Sequence, residues 1–224
     1  MGELCALKLS YGGASNMSLK DLINKIKEEV KVVQGEKTKD KLYENHNTYP
    51  TEAEAVTAFA ESRRKLFDVN CWTQLSGINS TFELFDPQGQ ASATKQPQTG
   101  YFIKIILPGS TIENWVEITD IWEEENLAEF IVHPSRNPQE AGSADVEHFF
   151  IKEASSTFRV TREGSTLYGY EIGKNEGINN QGEEAGDRAI LNTFVAEGGW
   201  AIFQELQWDK LTRYLVHLEE ATEE

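Results

Sequence analysis

Cysteine is almost absent from this sequence, which holds only Cys5 and Cys71 among 224 residues. Two cysteines are too few for a disulfide scaffold or a structural zinc site. Long apolar runs are also missing, because segments such as Ile105-Ile106-Leu107 fall far short of the about 20 residues that a membrane helix needs. The segment Met1 to Leu9 lacks the basic and apolar regions of a secretory signal. We therefore expect a cytoplasmic protein that has no membrane span.

Basic residues are scarce: 21 Lys and Arg stand against 37 Asp and Glu, which gives a formal net charge of -16. The excess of acidic over basic residues is confined to residues 66–224, which hold ten basic and twenty-seven acidic side chains. Nucleic acid is thereby excluded as a partner, since Lys and Arg supply most of the affinity for phosphate backbones. The acidity indicates either a soluble surface or a basic protein partner.

The motifs of common catalytic and cofactor sites are missing as well. The four histidines show no metal-ligand spacing, and no Gly-x-Ser-x-Gly segment occurs. The glycine-rich stretch 173–182 fits neither phosphate-binding nor dinucleotide-binding spacing. His148, beside Phe149 and Phe150, could act as a general base, although a hydrogen-bonded structural role is favoured. We expect no metal, no cofactor and no catalytic residue.

Aromatic residues are plentiful, with eleven Phe, seven Tyr and five Trp, and this apolar surface predicts a globular fold. Helical spacing from Ser18 to Gly35 predicts a first helix. The polar stretch 36–49 indicates an exposed loop or linker, and a capping box of Thr51 and Glu54 opens a second helix. We therefore divide the chain into an N-terminal helical extension with its linker, 1–49, and a main domain, 50–224.

Short alternating segments follow and predict six or seven antiparallel strands. Their approximate limits are 81–85, 101–107, 115–122, 127–132, 148–153, 157–162 and 166–172. A broad apolar stripe from Ile190 to Leu218, bent at Gly198-Gly199, then predicts one long C-terminal helix. The expected fold class is α+β, with this helix packed across the sheet.

Two charges fall on faces that strict alternation makes apolar. Asp120 shares a face with Ile118 and Trp122, and Arg162 shares one with Val160. Charged side chains are rarely buried without a partner. Either both lie near strand ends and reach water, or they orient a ligand in an internal cavity.

The order of elements resembles the helix-grip architecture of the START and polyketide-cyclase superfamily, over about Thr51 to Leu218. Trp72 ahead of the first strand, and Trp200 and Trp208 in the terminal helix, carry the resemblance. The segments Gly100-Tyr101-Phe102-Ile103, His148-Phe149-Phe150 and Asn175-Glu176 are similar to a group of bacterial proteins, a resemblance that implies no activity.

The helix-grip resemblance implies an apolar molecule held between sheet and terminal helix. Because fold alone does not select a function, three hypotheses follow: a non-enzymatic binder of a small apolar ligand, a polyketide cyclase-like enzyme, and an acidic adaptor for another protein. The first is favoured. Its predicted wall consists of Tyr101, Ile103, Ile105, Phe130, Phe158 and Phe203, with Asp120 or Arg162 as the polar anchor.

Overall fold

A seven-stranded antiparallel sheet, in the order β1-β7-β6-β5-β4-β3-β2, forms the centre of the computed structural model. The structure describes residues 38–75, 80–92, 94, 96–107, 113–140, 146, 148, 150–177 and 199–222, with side chains in the last range from 204 onward. The strands are β1 Lys39–Thr48, β2 Thr81–Phe85, β3 Phe102–Ile106, β4 Glu113–Glu124, β5 Leu127–Pro134, β6 Ser155–Glu163 and β7 Thr166–Glu176. The α+β class and the antiparallel sheet are therefore confirmed.

Two α-helices and one 3-10 helix are present in the described ranges. Helix α1, Glu52–Phe67, begins with the expected capping box, in which Thr51 and Glu54 each accept a hydrogen bond from the other's backbone N–H. The 3-10 helix Val69–Gln74 follows, and helix α2, Gly199–Leu215, ends the fold. The helix predicted from Ser18 to Gly35 lies outside the described residues. None of these helices is long and apolar enough to cross a membrane.

The main core lies between the inner face of the sheet and the helices. Trp72 of the 3-10 helix is its centre: the ring is fully buried and contacts Phe82, Phe130 and Phe158 at centroid distances of 5.0 to 5.9 Å. Helix α2 contributes Leu211 and Leu215, both fully buried. The predicted packing of the C-terminal helix on the sheet is thus confirmed for Gly199–Leu215, and the predicted part before residue 199 lies outside the described residues. The backbone of α2 lies closest to β1 and β7, and its Trp208 ring extends to Phe158 of β6 and Phe82 of β2.

The stretch 36–49 was expected to be an exposed linker, and for residues 39–48 this is wrong. These residues form edge strand β1, which pairs with β7 from Lys39 to Thr48. Its side chains alternate in burial, but the inward positions are polar. Asn45 donates to Asp209 Oδ1 at 3.0 Å and to Thr212 Oγ1 at 2.9 Å, and Asn47 donates to the Val216 carbonyl at 2.9 Å. Hydrogen bonds to α2 therefore replace the apolar contacts that sequence periodicity detects.

The strand expected at 148–153 is also wrong in the described residues. The Ile151 backbone N–H donates to the Gly177 carbonyl at 2.9 Å. The Ala154 backbone N–H donates to the Ile151 carbonyl at 3.0 Å and so forms a turn. The run Phe149-Phe150-Ile151 is continuously apolar rather than alternating, and hydrophobic periodicity alone does not identify such a run as a strand.

A β-bulge interrupts β4 in its middle. Ile118 pairs with Val132, but the next paired residue is Asp120, opposite Ile131, so Thr119 is the extra residue. The bulge reverses the alternation of side chains: Val116 and Ile118 are buried on the inner face before it, whereas Asp120 after it is exposed. Ile121 and Glu123 take the inner side instead, opposite Phe130 and Ala128 of β5.

Candidate functional site

An internal cleft lies between the inner face of the sheet and helix α2, and we call it the sheet–helix cleft. Its wall is mainly apolar and aromatic, and a polar group closes one end. The apolar lining is Trp72, Phe82, Ile103, Ile105, Leu107, Val116, Val132, Pro134, Phe150, Ala154, Phe158 and Trp208, and the polar lining is His148, Ser155, Ser156, Glu176, Gln204 and Gln207. Mostly apolar walls with a few convergent polar groups are typical of small-molecule sites.

The open volume of the cleft is about 50 Å³. Pockets for drug-sized ligands measure about 300–1,000 Å³, whereas one water occupies about 30 Å³ of liquid. Side chains therefore fill most of the space that the helix-grip resemblance implied for a ligand. A molecule larger than one or two waters must displace some of the lining, and the Gln204 and Gln207 side chains of α2 are among the groups it would meet.

The polar end is built by the last residues of β7. Asn175 has a left-handed backbone, with φ of 52°, and it ends the regular alternation of β7. Glu176 consequently lies inside, where it is 2% exposed. Gly173 leaves room for this carboxylate, because a Cβ atom there would lie 2.3 Å from Glu176 Oε1. Only glycine fits at this position without moving Glu176.

One cation and one amide from neighbouring elements contact Glu176. Lys41 Nζ of β1 lies 3.7 Å from Glu176 Oε2 and donates to Gln204 Oε1. The Gln204 amide in turn donates to Glu176 Oε2 at 3.4 Å. Strand β1, strand β7 and helix α2 are thereby joined by one buried polar network.

Glu171 lies behind this network and is fully buried. Burial raises the pKa of its carboxyl well above the ordinary value, and the neighbouring Glu176 raises it further. The Ser156 hydroxyl and Lys41 act in the opposite direction. Among the described residues, neither Glu171 oxygen has a hydrogen-bond partner of standard geometry. The folded protein therefore favours the protonated form of Glu171 more than water does, next to the polar end of the cleft.

Trp208 and Gln207 supply the helix side of the cleft. Gln207 Oε1 accepts hydrogen bonds from the Ser80 hydroxyl at 2.8 Å and from the Ser80 backbone at 3.2 Å. The Trp208 ring packs edge-on against Phe158 at 5.4 Å. Its indole Nε1–H is buried and has no acceptor among the described residues. A buried donor without a partner is rare in folded proteins and calls for a functional or structural explanation.

His148 lines the same cleft and is 5% exposed. Its Nδ1 accepts a hydrogen bond from the Phe150 backbone at 2.9 Å, so Nε2 carries the proton of the neutral ring. This contact supports the structural role favoured from the sequence. It also places an imidazole and the Glu176 carboxylate in the wall of one cleft, which the spacing of these residues in the chain does not reveal.

The predicted wall residues are only partly brought together. Ile103, Ile105 and Phe158 line the cleft. Phe130 lies beneath it, fully buried and stacked on Trp72 at 5.9 Å, and Tyr101 packs against the core without being among the described lining residues. The Phe203 side chain lies outside the described part of the chain.

Neither predicted anchor is placed at the cleft. Asp120 is exposed on the outer face, because the bulge at Thr119 reverses the alternation on which its assignment rested. Arg162 does lie inward, with 8% of its side chain exposed, but it pairs at 2.9 Å with Glu52 of α1. It also donates to the Gly164 carbonyl at 2.7 Å, so it joins α1 to the far end of the sheet.

Glu171 is a buried carboxyl group that the sequence reasoning missed. Asp120 and Arg162 were singled out because each is a charged residue on a face that alternation makes apolar. Glu171 meets the same criterion, because alternation in β7 puts it on one face with Leu167 and Gly169. Glu176 and Trp208 carry no comparable signal. Glu176 points inward only through the left-handed Asn175, and the missing partner of Trp208 is a property of the packed structure.

A serine, a histidine and a carboxylate meet at the end of α2. Ser62 Oγ lies 3.0 Å from His217 Nε2, and Glu220 lies 3.9 Å from His217 Nδ1. Burial lowers the pKa of His217, while its contact with the Ala58 carbonyl opposes this effect. Ser62 is fully buried, so its hydroxyl cannot reach a substrate as a nucleophile does. The group holds α1 and α2 together.

No family model and no curated protein matches this chain. Solved structures that are similar to it include norcoclaurine synthase from Thalictrum flavum, with 11% identity over 96% of this chain and 99% of that one at a TM-score of 0.35. The di-domain ARO/CYC BexL of the BE-7585A biosynthetic pathway has 12% identity and a TM-score of 0.40, and the match covers 91% of this chain and 57% of the BexL chain. The extracellular domain of PknH from Mycobacterium tuberculosis has 8% identity and a TM-score of 0.34, and the match covers 71% of this chain and 55% of the PknH chain.

The neighbours include norcoclaurine synthase and BexL, which are themselves helix-grip proteins. The chain spans little more than half of the BexL and PknH chains. At TM-scores of 0.40 and below, these matches assign neither a function nor a residue role. In the part of the chain that the structure describes, no group of three His, Cys, Asp or Glu side chains could hold a metal ion.

Proposed function

We propose that the protein binds a small, mainly apolar molecule in the sheet–helix cleft, with one hydrogen-bond acceptor directed at Trp208. The observation that supports this is the indole Nε1–H, which is buried beside an aromatic wall and lacks an acceptor in the described structure. A ligand carbonyl or hydroxyl would supply the acceptor, and burial of its apolar part would contribute about 25 cal/mol per Å². Because the open volume of the cleft is only about 50 Å³, binding is accompanied by displacement of lining side chains.

Native mass spectrometry of freshly purified protein tests the proposal directly. We expect a retained mass, and we expect Trp208→Phe to lower the fraction of protein that carries it, since the variant keeps an aromatic ring and loses the donor. A net hydrogen bond of about 1 kcal/mol corresponds to roughly fivefold weaker binding. Trp122→Phe is the matched control, because Trp122 is 59% exposed and its indole already donates to Glu124 at 2.9 Å.

The fluorescent ketone 2-acetylanthracene provides a second measurement if purification removes the native ligand. The proposal predicts a blue-shifted emission with wild-type protein and a weaker titration with Trp208→Phe. No retained mass together with unchanged probe emission would contradict ligand binding in this cleft. An acidic adaptor with a basic protein partner would then be the leading hypothesis.

A polyketide cyclase-like enzyme is the second candidate, and it is favoured by one observation: His148 and Glu176 line the same cleft. An acid and a base in one pocket are the minimum for proton-transfer catalysis. Glu176→Gln separates the two functions. If cyclisation is followed by loss of water, an enzyme would accumulate a substrate heavier than the product retained by wild type, whereas a binder would retain the same mass in both proteins.

A further inference from the structure

A second concavity lies on the other side of α1, between that helix and the second half of β4, and we call it the α1–β4 groove. Its volume is about 620 Å³, which is within the range of about 300–1,000 Å³ usual for small-molecule sites. Its lining is Ala60, Arg63, Arg64, Phe67, Asp68, Gln96, Pro97, Ile121 and Glu123. None of these residues lines the sheet–helix cleft, so the two sites are separate.

The apolar part of the groove rests on the main core. The Phe67 ring packs against Phe130 at a centroid distance of 6.4 Å, and Ile121, from the strand facing the helix, also contacts the core. Pro97 is buried at the edge of the groove. Ile121 and Glu123 face α1 only because of the bulge at Thr119. The groove thus has a firm aromatic and aliphatic floor, sufficient to bury one ring-sized group.

The charges around this floor are balanced. Arg63 Nη2 pairs with Glu123 at 2.6 Å. Arg64 pairs with Glu61 of its own helix, and its Nη1 lies 3.7 Å from Asp68. The two guanidinium groups are therefore matched by at least as many carboxylates. An added anion would gain little attraction from the paired guanidinium groups and would be repelled by the carboxylates.

Arg63 nevertheless retains one unused donor. Its Nε–H is buried and has no acceptor in the described part of the chain, although Nη2 on the same guanidinium is paired. A guanidinium has five N–H donors in a fixed planar arrangement, so the free Nε–H direction is set by the Glu123 pair. The Arg63 side chain is 42% exposed, so a small rotation of the guanidinium uncovers Nε. A neutral oxygen acceptor can then use this donor without disturbing the balance of charges.

We infer that the α1–β4 groove binds a neutral, ring-sized apolar molecule whose carbonyl oxygen accepts a hydrogen bond from Arg63 Nε. The apolar body lies on Phe67 and Ile121, and the Arg63–Glu123 pair holds the donor in place. A carboxylate of the same size binds more weakly, because Glu123 and Asp68 line the groove.

Three probes of similar shape distinguish the chemistry: acetophenone has the carbonyl, isopropylbenzene lacks it, and benzoate replaces it with a charge. In nitrogen-15 and methyl NMR spectra of the full chain, we expect acetophenone to shift the Arg63 Nε–H and Ile121 methyl signals. Isopropylbenzene and benzoate should shift the Ile121 methyl signal less at equal concentration. The Trp208 indole signal reports binding in the sheet–helix cleft separately, so failure at one site does not affect the conclusion on the other.

Arg63→Lys keeps the charge and removes the Nε donor. Titration of the Ile121 methyl signal should show acetophenone binding about tenfold more weakly, as expected for loss of a hydrogen bond from a charged donor. Arg159→Lys is the control, because Arg159 pairs with Glu129 on β5, away from the groove. Equal affinity for Arg63→Lys and wild type, tighter binding of benzoate than of acetophenone, or no shift up to the solubility of acetophenone would each overturn the inference.

Discussion

Glu171 has a chemistry unlike that of a surface carboxyl group. It is fully buried, and its pKa is raised by burial and by the neighbouring Glu176. The folded state therefore keeps a proton that the unfolded chain releases once the pH exceeds the ordinary value of about 4.3. By proton linkage, stability is lost as the pH rises from that value towards the folded pKa.

Glu171→Gln should remove this pH dependence. We expect the variant to match wild type near pH 4 and to be more stable at pH 7 to 8, by about 1.4 kcal/mol for each pKa unit separating folded and unfolded states. Urea unfolding at several pH values measures the difference, and exposed Glu44→Gln serves as the control. A difference that stayed constant with pH would mean that Glu171 is already ionised in the folded protein.

A close approach between α2 and the sheet depends on a single glycine. A Cβ atom at Gly169 of β7 would lie 2.9 Å from the Thr212 carbonyl and 3.1 Å from Val216 Cγ1. Because the first contact is with backbone, a side chain here would have to move the helix itself. Gly169 therefore sets the spacing between the last strand and α2, and with it the width of the sheet–helix cleft.

Gly169→Ala should destabilise the fold by about 1–3 kcal/mol through this displacement. The matched control is Gly164→Ala, where φ is +57° but no atom lies within 4 Å of the new Cβ, so only local backbone strain is added. Amide hydrogen exchange distinguishes the two: exchange from Thr212 to Leu215 should accelerate in Gly169→Ala alone. Equal exchange in both variants would show that the helix accommodates the methyl group.

Elements with an alternating apolar face were predictable from the sequence, and those with a polar inner face were not. The six strands β2 to β7 were located because apolar residues alternate along them. Strand β1 was missed because Asn45 and Asn47 face α2 through hydrogen bonds. Asp120 was misplaced because alternation assumes a constant phase, which the Thr119 bulge breaks. The volume of the sheet–helix cleft depends on side-chain packing, and the hydrophobic periodicity of the sequence gives no information about that packing.

Strand β1 makes the N-terminal boundary of the folded unit testable in the whole molecule. A chain beginning at residue 38 keeps β1, whereas one beginning at residue 50 loses its pairing with β7, its bonds to α2 and the Lys41 partner of Glu176. We expect the chain beginning at 50 to unfold at a lower temperature or without cooperativity, because unpaired buried groups cost about 1–3 kcal/mol each. The chain beginning at 38 should melt cooperatively.

Equal melting of the two truncated chains, followed by circular dichroism, would contradict this expectation and support the boundary at residue 49. The comparison also bears on function, since Lys41 contacts the polar end of the sheet–helix cleft. If the chain beginning at 50 stays folded but loses the retained mass, β1 contributes to ligand binding rather than to stability.

The bulge in β4 also affects how this chain can be aligned with any homologous sequence. The alternation of inward and outward side chains changes phase at Thr119. A homologous strand without the bulge therefore corresponds to β4 only if the alignment contains a one-residue gap inside the strand. An ungapped alignment would match the outward Asp120 to an inward position and the inward Ile121 and Glu123 to outward ones. Any survey of variation in the α1–β4 groove must therefore count positions separately before and after Thr119.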